Sequence, residues 1–315
     1  TASAALEEGV ARPEDKFYDP GYAMVSGVRI GCWYHGGHGS QTFIQLLENS
    51  CNPGFVELGM KLGKDRFMKY IKGFGFGEVT GIDLPGEARG ILDPSKVGPV
   101  ELATITFGQG ISVTPVQLIT ALSTIANDGK PVQPHVAKAI VDKEGNTVQE
   151  FSPAPLRQVV SYETAQEMKK ILESVVTNGT GGRGKVEGFR VAGKTGTAEK
   201  YSPGKYVVSY MGFAPVDDPK LAILVIIDEP TGGLIYGGTI AGPVFQKVMA
   251  DSLNYLGIEP NIEQVEEREH VAVPDLRNLY VEDARKILMQ NGLSVRIEGE
   301  GYVVTEQVPM PGAEV

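Results

Sequence analysis

Residues 191–200 read VAGKTGTAEK, and the interpretation of this stretch decides the fold. From 188 to 195 the sequence satisfies the pattern G-x-x-x-x-G-K-[ST] of a phosphate-binding loop. Such a loop needs a buried strand before its first glycine and a helix that begins at its lysine, because the loop and the helix N-terminus hold the phosphate. Residues 178–187 (NGTGGRGKVE) are polar and glycine-rich, and Pro203 follows Lys194 too soon for a packed helix. We therefore predict that Lys194 lies on a strand and not in a nucleotide site.

The segments around Lys194 predict an antiparallel sheet that is covered by helices. Three apolar segments at 189–200, 205–216 and 220–230 are separated by turn residues, which is typical of neighbouring antiparallel strands. Residues 241–257 predict a helix that packs on this sheet. The expected fold class is α+β.

Upstream of the sheet, terminal signals predict two helices. Residues 114–117 (TPVQ) form a capping box with proline at the first helical position, and this helix should end at Asn127. Ser161 begins a second helix that Asn178 closes. Residues 20–41 contain so many glycines that we expect the first hundred residues to be rich in loops.

Composition bounds the possible functions. The chain has 315 residues, of which 42% are hydrophobic and 22% charged, enough for a large core. Its net charge of -10 and pI near 5.0 argue against nucleic-acid binding, which needs clustered Lys and Arg. No apolar run approaches the roughly 18 residues that a membrane span requires.

The natural polypeptide is expected to continue beyond both ends of the sequence. Residues 1–10 (TASAALEEGV) read as the last turns of a helix that Gly9 ends, with no capping residue before it. Residues 308–315 (VPMPGAEV) stop after a turn signal, where a further strand is expected.

Two polar triplets carry the candidate chemistry. Residues 194–196 read Lys-Thr-Gly, and on a strand edge the glycine would let a substrate approach the backbone. Residues 50–52 read Ser-Cys-Asn at the end of a helix pattern. Taken alone, the second triplet is as typical of a helix end followed by a turn.

Longer blocks give these triplets a family context. The blocks are 36–63, 73–87, 107–129, 191–200 and 207–219. Together they resemble the transpeptidase domain of class B penicillin-binding proteins over about residues 1–257, in detail most like the sporulation-type members and next the division-type enzymes of Gram-positive bacteria. The resemblance implies the penicillin-binding transpeptidase fold, an antiparallel sheet sandwiched by helices.

The C-terminal residues resemble a second family. Residues 270–315 are similar to a PASTA module of β-α-β type, with a Val-Pro-Asp-Leu strand, a helix and a Pro-Gly turn, and its final strand is missing. Ala284, Ile287 and Leu288 share one face of the predicted helix. Residues 258–269 are polar and acidic, which suits a linker.

The resemblance implies a serine-type D-Ala-D-Ala transpeptidase without a cofactor. Ser50 would relay a proton, Lys194 would set the local charge and contact the Ser50 hydroxyl, and Asn52 would hold the substrate amide. Thr195 and Thr197 would bind the terminal carboxylate, Gly196 between them would let the substrate approach the strand, and the Thr197 amide would be half of an oxyanion hole.

The nucleophile of this family is the serine of a Ser-x-x-Lys motif at the start of a helix whose later turns resemble residues 1–10. That motif is therefore expected before Thr1. The Ser-x-x-Lys at 202–205 contains Pro-Gly, which cannot place both side chains on one helical face. The given chain is expected to lack the nucleophile and to be inactive by itself.

Cysteine and histidine spacing raises two further possibilities. Cys32, His35 and His38 have a spacing that hints at a metal, but two glycines intervene and no fourth ligand stands nearby, which favours a loop without metal. Cys32 and Cys51 could remain free thiols. They could also form a disulfide that acts on Ser50 and Asn52, provided that their Cα atoms lie within about 7 Å.

Two classes of function follow. The first is a D,D-transpeptidase of spore-cortex or septal peptidoglycan that binds D-Ala-D-Ala stem peptides and β-lactams. The second is a non-catalytic β-lactam sensor or wall-binding scaffold of the same fold. The resemblance further implies an N-terminal membrane anchor, a place at the extracytoplasmic face of the bacterial membrane, and partners such as a SEDS-type glycosyltransferase and other wall-synthesis proteins.

Overall fold

The chain forms two compact units, residues 1–263 and 264–315. The computed structural model describes residues 1–152, 156–231, 233, 235–262, 272–290, 293 and 295–313. The named strands of the first unit pair antiparallel, and helices lie between the groups of strands, so its α+β class is confirmed.

The helices and strands of the first unit follow one another in a mixed order. They are α1 (Ala2–Glu7), β1 (Lys16–Asp19), β2 (Tyr22–Val25), β3 (Val28–Gly31), β4 (Gly39–Thr42), α2 (Phe43–Glu48), α3 (Asn52–Leu62), α4 (Lys64–Gly73), α5 (Pro99–Thr106), α6 (Pro115–Ala126), β5 (Ala139–Val141), β6 (Thr147–Glu150), α7 (Tyr162–Asn178), β7 (Ala192–Glu199), β8 (Tyr206–Ala214), β9 (Leu221–Asp228), α8 (Gly237–Ile240) and α9 (Gly242–Tyr255).

The central sheet has the antiparallel order β7-β8-β9, as the segments around Lys194 predict. Lys194 faces Met211 in the register of β7 and β8, and Ser209 faces Ile226 in that of β8 and β9. β7 lies at an edge of this sheet. Lys194 therefore stands inside an edge strand, and no helix begins at it, which confirms that it does not belong to a phosphate loop.

Helices cover both faces of the sheet. Phe213 of β8 packs in an apolar cluster with residues of α6 and α7. Tyr210, on the opposite face, packs against Phe245 of α9 with ring centroids 4.6 Å apart. Full burial of such a side chain stabilises the fold by about 1.5–3 kcal/mol, so these two layers hold the sheet in place. The predicted sandwich is confirmed.

Capping side chains fix where two of these helices begin. The Thr114 hydroxyl accepts a hydrogen bond from the Gln117 amide at 3.2 Å, and the Gln117 side chain accepts one from the Thr114 amide at 2.9 Å. Ser161 caps α7 by accepting from the Thr164 amide at 3.2 Å. Both helix starts agree with the sequence prediction.

The first hundred residues hold more helix than their glycine content predicts. Residues 20–41 contain only short strands, as expected, but α3 and α4 follow. Gly59 lies inside α3, where an added Cβ would come within 1.9 Å of the Thr106 side chain of α5. Gly59 therefore allows α3 and α5 to approach closely, and it does not end α3.

The second unit contains α10 (Val281–Gln290) and a small apolar cluster around it. Ala284, Ile287 and Leu288 of this helix belong to the cluster, as predicted. The predicted strand at 273–276 is not regular, because Pro274 has no amide proton and the Asp275 carboxylate accepts from the Arg277 amide at 3.1 Å.

Part of the predicted linker 258–269 lies outside the described residues, from 263 onward. Before that point, the Asn261 amide donates to the Gly188 carbonyl at 2.9 Å, and the Asn261 side chain accepts from the Arg190 amide at 3.0 Å. Across the described ranges, no helix combines the length and the apolar composition that crossing a bilayer requires.

Candidate active site

The structure brings Ser50 and Lys194 together from distant parts of the chain. The Lys194 Nζ donates to the Ser50 Oγ at 2.9 Å and to the Thr195 carbonyl at 3.1 Å. Ser50 follows α2, and Lys194 lies on the edge strand β7. A hydroxyl and an amine in this contact can exchange a proton or share a charge.

Ser50 has a backbone conformation that side chains rarely adopt. Its φ is +52°, in the left-handed region. The Ser50 amide donates to the Leu47 carbonyl at 3.1 Å, and the Cys51 amide donates to the Leu46 carbonyl at 3.0 Å, which closes the end of α2. The Trp33 indole nitrogen also donates to the Asn49 carbonyl at 2.9 Å. This strained turn directs the Ser50 hydroxyl to Lys194.

Asn52 is the first residue of α3. Its side-chain Nδ2 donates to the Gly31 carbonyl at 3.3 Å, so the end of β3 holds the side chain. Cys51, between Ser50 and Asn52, is fully buried, whereas Ser50 and Asn52 are partly exposed. The two outer residues of the triplet are therefore accessible, and the middle one is not.

Thr195, Gly196 and Thr197 follow Lys194 along β7. The Thr195 hydroxyl contacts the Thr180 hydroxyl at 3.4 Å, and the Gly237 amide donates to the Thr197 hydroxyl at 3.3 Å. Thr180 and Gly237 are site neighbours that the sequence did not indicate. The Gly-Gly pair before α9 is the signal that could have revealed the second of them.

Gly237 touches the edge strand through its backbone. An added Cβ there would lie 2.4 Å from the Gly196 carbonyl oxygen and 2.3 Å from that of Ser209. At Gly196 the added Cβ would meet the Ser209 hydroxyl at 2.4 Å. The absence of side chains at both positions keeps β7, β8 and α8 in close contact.

Burial sets the charge state of Lys194. Removal of its ammonium group from water lowers the pKa to about 8. The described contacts of its Nζ are hydroxyl and carbonyl oxygens, and no carboxylate among the described residues forms an ion pair with it. Lys194 can therefore change its protonation near neutral pH.

The Ser-x-x-Lys sequence at 202–205 forms an exposed turn between β7 and β8. The Lys205 amide donates to the Ser202 carbonyl at 3.2 Å, and the Lys205 Nζ lies 2.9 Å from a Glu229 carboxylate oxygen. Ser202 and Lys205 thus do not form a nucleophile and base on a helix, as the Pro-Gly pair predicts.

Cys32 and Cys51 approach each other beside the Ser-Cys-Asn triplet. Both are free and buried thiols. The hydrogen bond from Cys51 lowers the pKa of Cys32 to about 7. The same contact, together with burial, raises the pKa of Cys51 far above its usual value.

Two further side chains join these thiols. His38 Nδ1 lies 3.4 Å from the Cys32 Sγ and 2.9 Å from the Asp19 Oδ2. His35, the other histidine of the loop, does not belong to the group of ligand atoms. Burial alone would raise the pKa of Asp19, but hydrogen bonds from His38 and from the Gly21 amide lower it to about 2.

Comparisons with known proteins place this geometry in a family. The model of the penicillin binding protein transpeptidase domain matches residues 1–250, and that of the PASTA domain matches residues 271–315. Stage V sporulation protein D of Bacillus subtilis is 47% identical over 329 residues, covering 100% of this chain and 51% of the relative. The chain therefore spans about half the length of that relative.

Relatives with lower sequence identity belong to the same family. Peptidoglycan D,D-transpeptidase FtsI of Escherichia coli is 32% identical, covering 70% of this chain and 37% of the relative. The crystal structure of penicillin binding protein 3 from Mycobacterium tuberculosis, complexed with aztreonam, has a TM-score of 0.75 and 30% identity, covering 83% of this chain and 62% of that chain. The predicted resemblance is confirmed: the chain belongs to the penicillin-binding protein transpeptidase family, and a PASTA domain follows its transpeptidase domain.

Proposed function

We propose that the chain supplies the substrate-binding and proton-transfer residues of a peptidoglycan D,D-transpeptidase. The observation that carries this proposal is the 2.9 Å contact between the Lys194 Nζ and the Ser50 Oγ, which joins two triplets 144 residues apart. The relative from Escherichia coli whose name states this activity supports it.

The reaction is acyl transfer in two steps. In the first, a serine hydroxyl attacks the carbonyl carbon of the D-Ala-D-Ala peptide bond. The C–N bond breaks, the serine proton moves to the leaving nitrogen, and D-Ala departs. In the second, an amine of a neighbouring stem attacks the ester, the C–O bond breaks, and a proton from the amine returns to the serine oxygen. We place the attacking serine in a Ser-x-x-Lys motif before Thr1.

The residues of the chain have separate roles in these steps. Ser50 relays the proton to or from the reacting nitrogen, because its hydroxyl both donates and accepts. Lys194 supplies positive charge and orients that hydroxyl. Asn52 holds the amide of the stem peptide.

The edge strand binds the substrate. Thr195 and Thr197 present hydroxyls that can bind the terminal carboxylate, and Gly196 lets the peptide approach the strand. The Thr197 amide stabilises the oxyanion of the tetrahedral intermediate. β-Lactams acylate the same serine, a proposal supported by the aztreonam complex of the mycobacterial relative.

We assign this activity to spore wall synthesis. The relative named for stage V of sporulation matches 100% of the chain at 47% identity, whereas FtsI matches 70% at 32%. The full-length protein would act at the extracytoplasmic face of the membrane, held by an N-terminal anchor. A SEDS-type glycosyltransferase and other wall-synthesis proteins would be its partners.

The domain bounds remain those expected from the sequence. Residues 1–257 form the transpeptidase domain, residues 258–269 form a linker, and residues 270–315 form the PASTA module. Matches of the two family models to residues 1–250 and 271–315 support this division.

Cys32 and Cys51 would act as a redox pair beside this site. Their sulfur atoms lie within 4.8 Å of each other, and an S–S bond of about 2 Å would require the two side chains to move together. A protein disulfide would be the oxidant, and it would accept the two electrons and two protons that the thiols lose by exchange. The bond would displace Cys51 and with it the neighbouring Ser50 and Asn52.

Two measurements on the full-length protein test the transpeptidase proposal. Incubation with a labelled penicillin should add the mass of one drug molecule, and incubation with pentapeptide stems should release D-Ala and form cross-linked dimers. A folded protein that gives neither product would refute the proposal. A penicillin adduct without release of D-Ala would refute turnover and favour the sensor or scaffold.

A further inference from the structure

Four side chains with metal-binding atoms converge behind the Ser-Cys-Asn triplet. The Asp19 carboxylate, the Cys32 thiol, the His38 imidazole and the Cys51 thiol each offer one atom, and all four atoms lie within 4.8 Å of one another. Asp19 and Cys51 are fully buried, and Cys32 is nearly so. We call these four residues the Cys51 cluster.

The distances in the Cys51 cluster approach those of a tetrahedral zinc site. Cys32 Sγ lies 3.4 Å from His38 Nδ1, His38 Nδ1 lies 2.9 Å from Asp19 Oδ2, and Cys51 Sγ lies 3.3 Å from Asp19 Oδ2. Zinc bonds of about 2.0–2.3 Å at tetrahedral angles require ligand separations of about 3.3–3.8 Å. These three of the six separations would need to change by about half an ångström or less, and the other three each lie within 4.8 Å, so binding also requires the ligand atoms to draw together.

Hydrogen bonds explain the Cys51 cluster only in part. His38 Nδ1 has at most one proton, yet it contacts both Asp19 Oδ2 and Cys32 Sγ. Asp19 Oδ2 also accepts from the His38 amide at 3.0 Å. Within the described part of the chain, neither Lys nor Arg forms an ion pair with this buried carboxylate. A bound cation would neutralise the charge that the fold keeps away from water.

The surroundings point to a metal-bound thiolate at Cys51. The Gln41 Nε2 is a buried donor without a hydrogen-bond partner, and Gln41 is 3% exposed. The Gln41 Oε1 accepts a hydrogen bond from the Asn49 Nδ2 at 3.1 Å, which places this side chain beside the Ser-Cys-Asn triplet. A thiolate accepts hydrogen bonds more strongly than a thiol, so the unpartnered Gln41 donor is suited to a ligand sulfur.

The backbone holds the four residues of the Cys51 cluster in place. Asp19 ends β1 and pairs with Gly39 of β4, next to His38. The Cys32 amide, directly after β3, donates to the Gly21 carbonyl at 2.9 Å. Cys51 directly precedes α3, and its carbonyl accepts a hydrogen bond from the Phe55 amide at 3.1 Å. Because each ligand is fixed by a strand or helix end, a metal could bind with little rearrangement.

The ligand types select the metal. Two thiolates, one imidazole and one carboxylate suit tetrahedral Zn²⁺, whereas Mg²⁺ and Ca²⁺ require six or more oxygen ligands. We propose that the reduced Cys51 cluster, formed by Asp19, Cys32, His38 and Cys51, is a structural zinc site. The same sulfur atoms cannot both bind zinc and form a disulfide, so zinc occupancy and oxidation exclude each other.

Binding of zinc is independent of transpeptidation, so its test needs no activity. The purified 315-residue chain, kept reduced with a non-thiol reductant, is equilibrated with Zn²⁺, dialysed and assayed for metal by mass spectrometry. One zinc ion per chain is expected. Substitution with Co²⁺ should give the intense visible bands of a tetrahedral ion and a thiolate-to-cobalt transition in the near ultraviolet.

Matched variants locate the site. Cys32→Ser and His38→Gln should each weaken zinc affinity at least about 100-fold, and Gln41→Leu about 10-fold to 100-fold, as expected for a residue that supports a ligand. His35→Gln, in the same loop but outside the cluster, should bind zinc as the parent chain does.

Three results would overturn the proposal. They are a reduced parent chain that retains no zinc, an octahedral cobalt spectrum, and zinc binding by Cys32→Ser and His38→Gln that is as tight as that of His35→Gln. Because the first two use the unsubstituted chain, misfolding of a variant leaves the test intact.

Discussion

The two sides of the Ser50-Cys51-Asn52 triplet differ in what they bury. On the Lys194 side, an amine and hydroxyls meet at an edge strand and remain partly exposed. On the Cys51 side, a carboxylate, an imidazole and two thiols lie almost entirely within the core. Adjacent residues of one turn thus enter opposite environments, because Ser50 has a left-handed backbone and Cys51 an extended one.

This difference in burial suits the Lys194 side to the proposed reaction and the Cys51 side to holding the turn in place. Lys194 is half-buried, and the burial that lowers its pKa suits it to the proton transfer that we propose for this side. A closed group of ligand atoms cannot reach a substrate, but it can hold the turn that presents Ser50. Each side therefore predicts a different response to substitution.

The largest effect is expected for the Lys194 side. Lys194→Met should lower the rate at which the full-length protein is acylated by a penicillin about 10²-fold to 10⁴-fold, the usual contribution of a positioned proton-transfer group. Lys200→Met is the matched control, because Lys200 follows β7 but pairs with Asp228 and Glu229. Equal acylation rates in the two variants would show that Lys194 takes no part in acylation.

The pH dependence should follow the same lysine. Its pKa near 8 means that the ammonium form, which in the proposed function supplies positive charge beside the substrate, is lost as the pH rises through about 8. Acylation by an anionic penicillin should therefore fall about tenfold per pH unit above that value. Lys194→Arg should shift this fall beyond pH 10, because guanidinium stays charged. A rate that rises with pH would show instead that the neutral amine is required.

The close backbone contact of α8 with β7 and β8 should contribute to the free energy of unfolding. Gly237→Ala should destabilise the fold by about 2–3 kcal/mol, because its Cβ would meet two carbonyl oxygens that cannot rotate away. Gly196→Ala should cost less than about 1 kcal/mol, since the Ser209 hydroxyl that it meets can turn. Urea unfolding of both variants measures the difference, and the reverse order would contradict the close contact of α8 with β7.

The smallest expected effect is on the stability of variants of Ser50 and Cys51, the two residues of the turn. Ser50→Gly should be more stable than Ser50→Ala by about 0.5–1 kcal/mol, because alanine is strained at a φ of +52°. At Cys51, where φ is -76°, the alanine variant should instead be the more stable one by about 0.5–1 kcal/mol. Thermal unfolding of the four variants provides the comparison. The same order at both positions would show that Ser50 is not strained.

Local signals predicted much of the fold correctly. The capping residues Thr114 and Ser161 place the starts of α6 and α7, and the apolar segments give the three antiparallel strands. These features depend on residues a few positions apart. The helix α3 was harder to predict, because its glycines resemble breaks in a helix while they in fact admit a neighbouring helix.

The sequence by itself determined that Lys194 stands on a strand, that Ser50 ends a helix, and which family the chain belongs to. Only the tertiary structure decided that the Lys194 Nζ reaches Ser50 and that Asp19 and Cys51 complete a group with Cys32 and His38. Hydrophobic periodicity and capping residues predict a single helix or strand, because they depend on interactions between residues that are close in the sequence. Contacts between distant residues depend instead on how the helices and strands pack, and the spacing of residues in the sequence does not encode those distances.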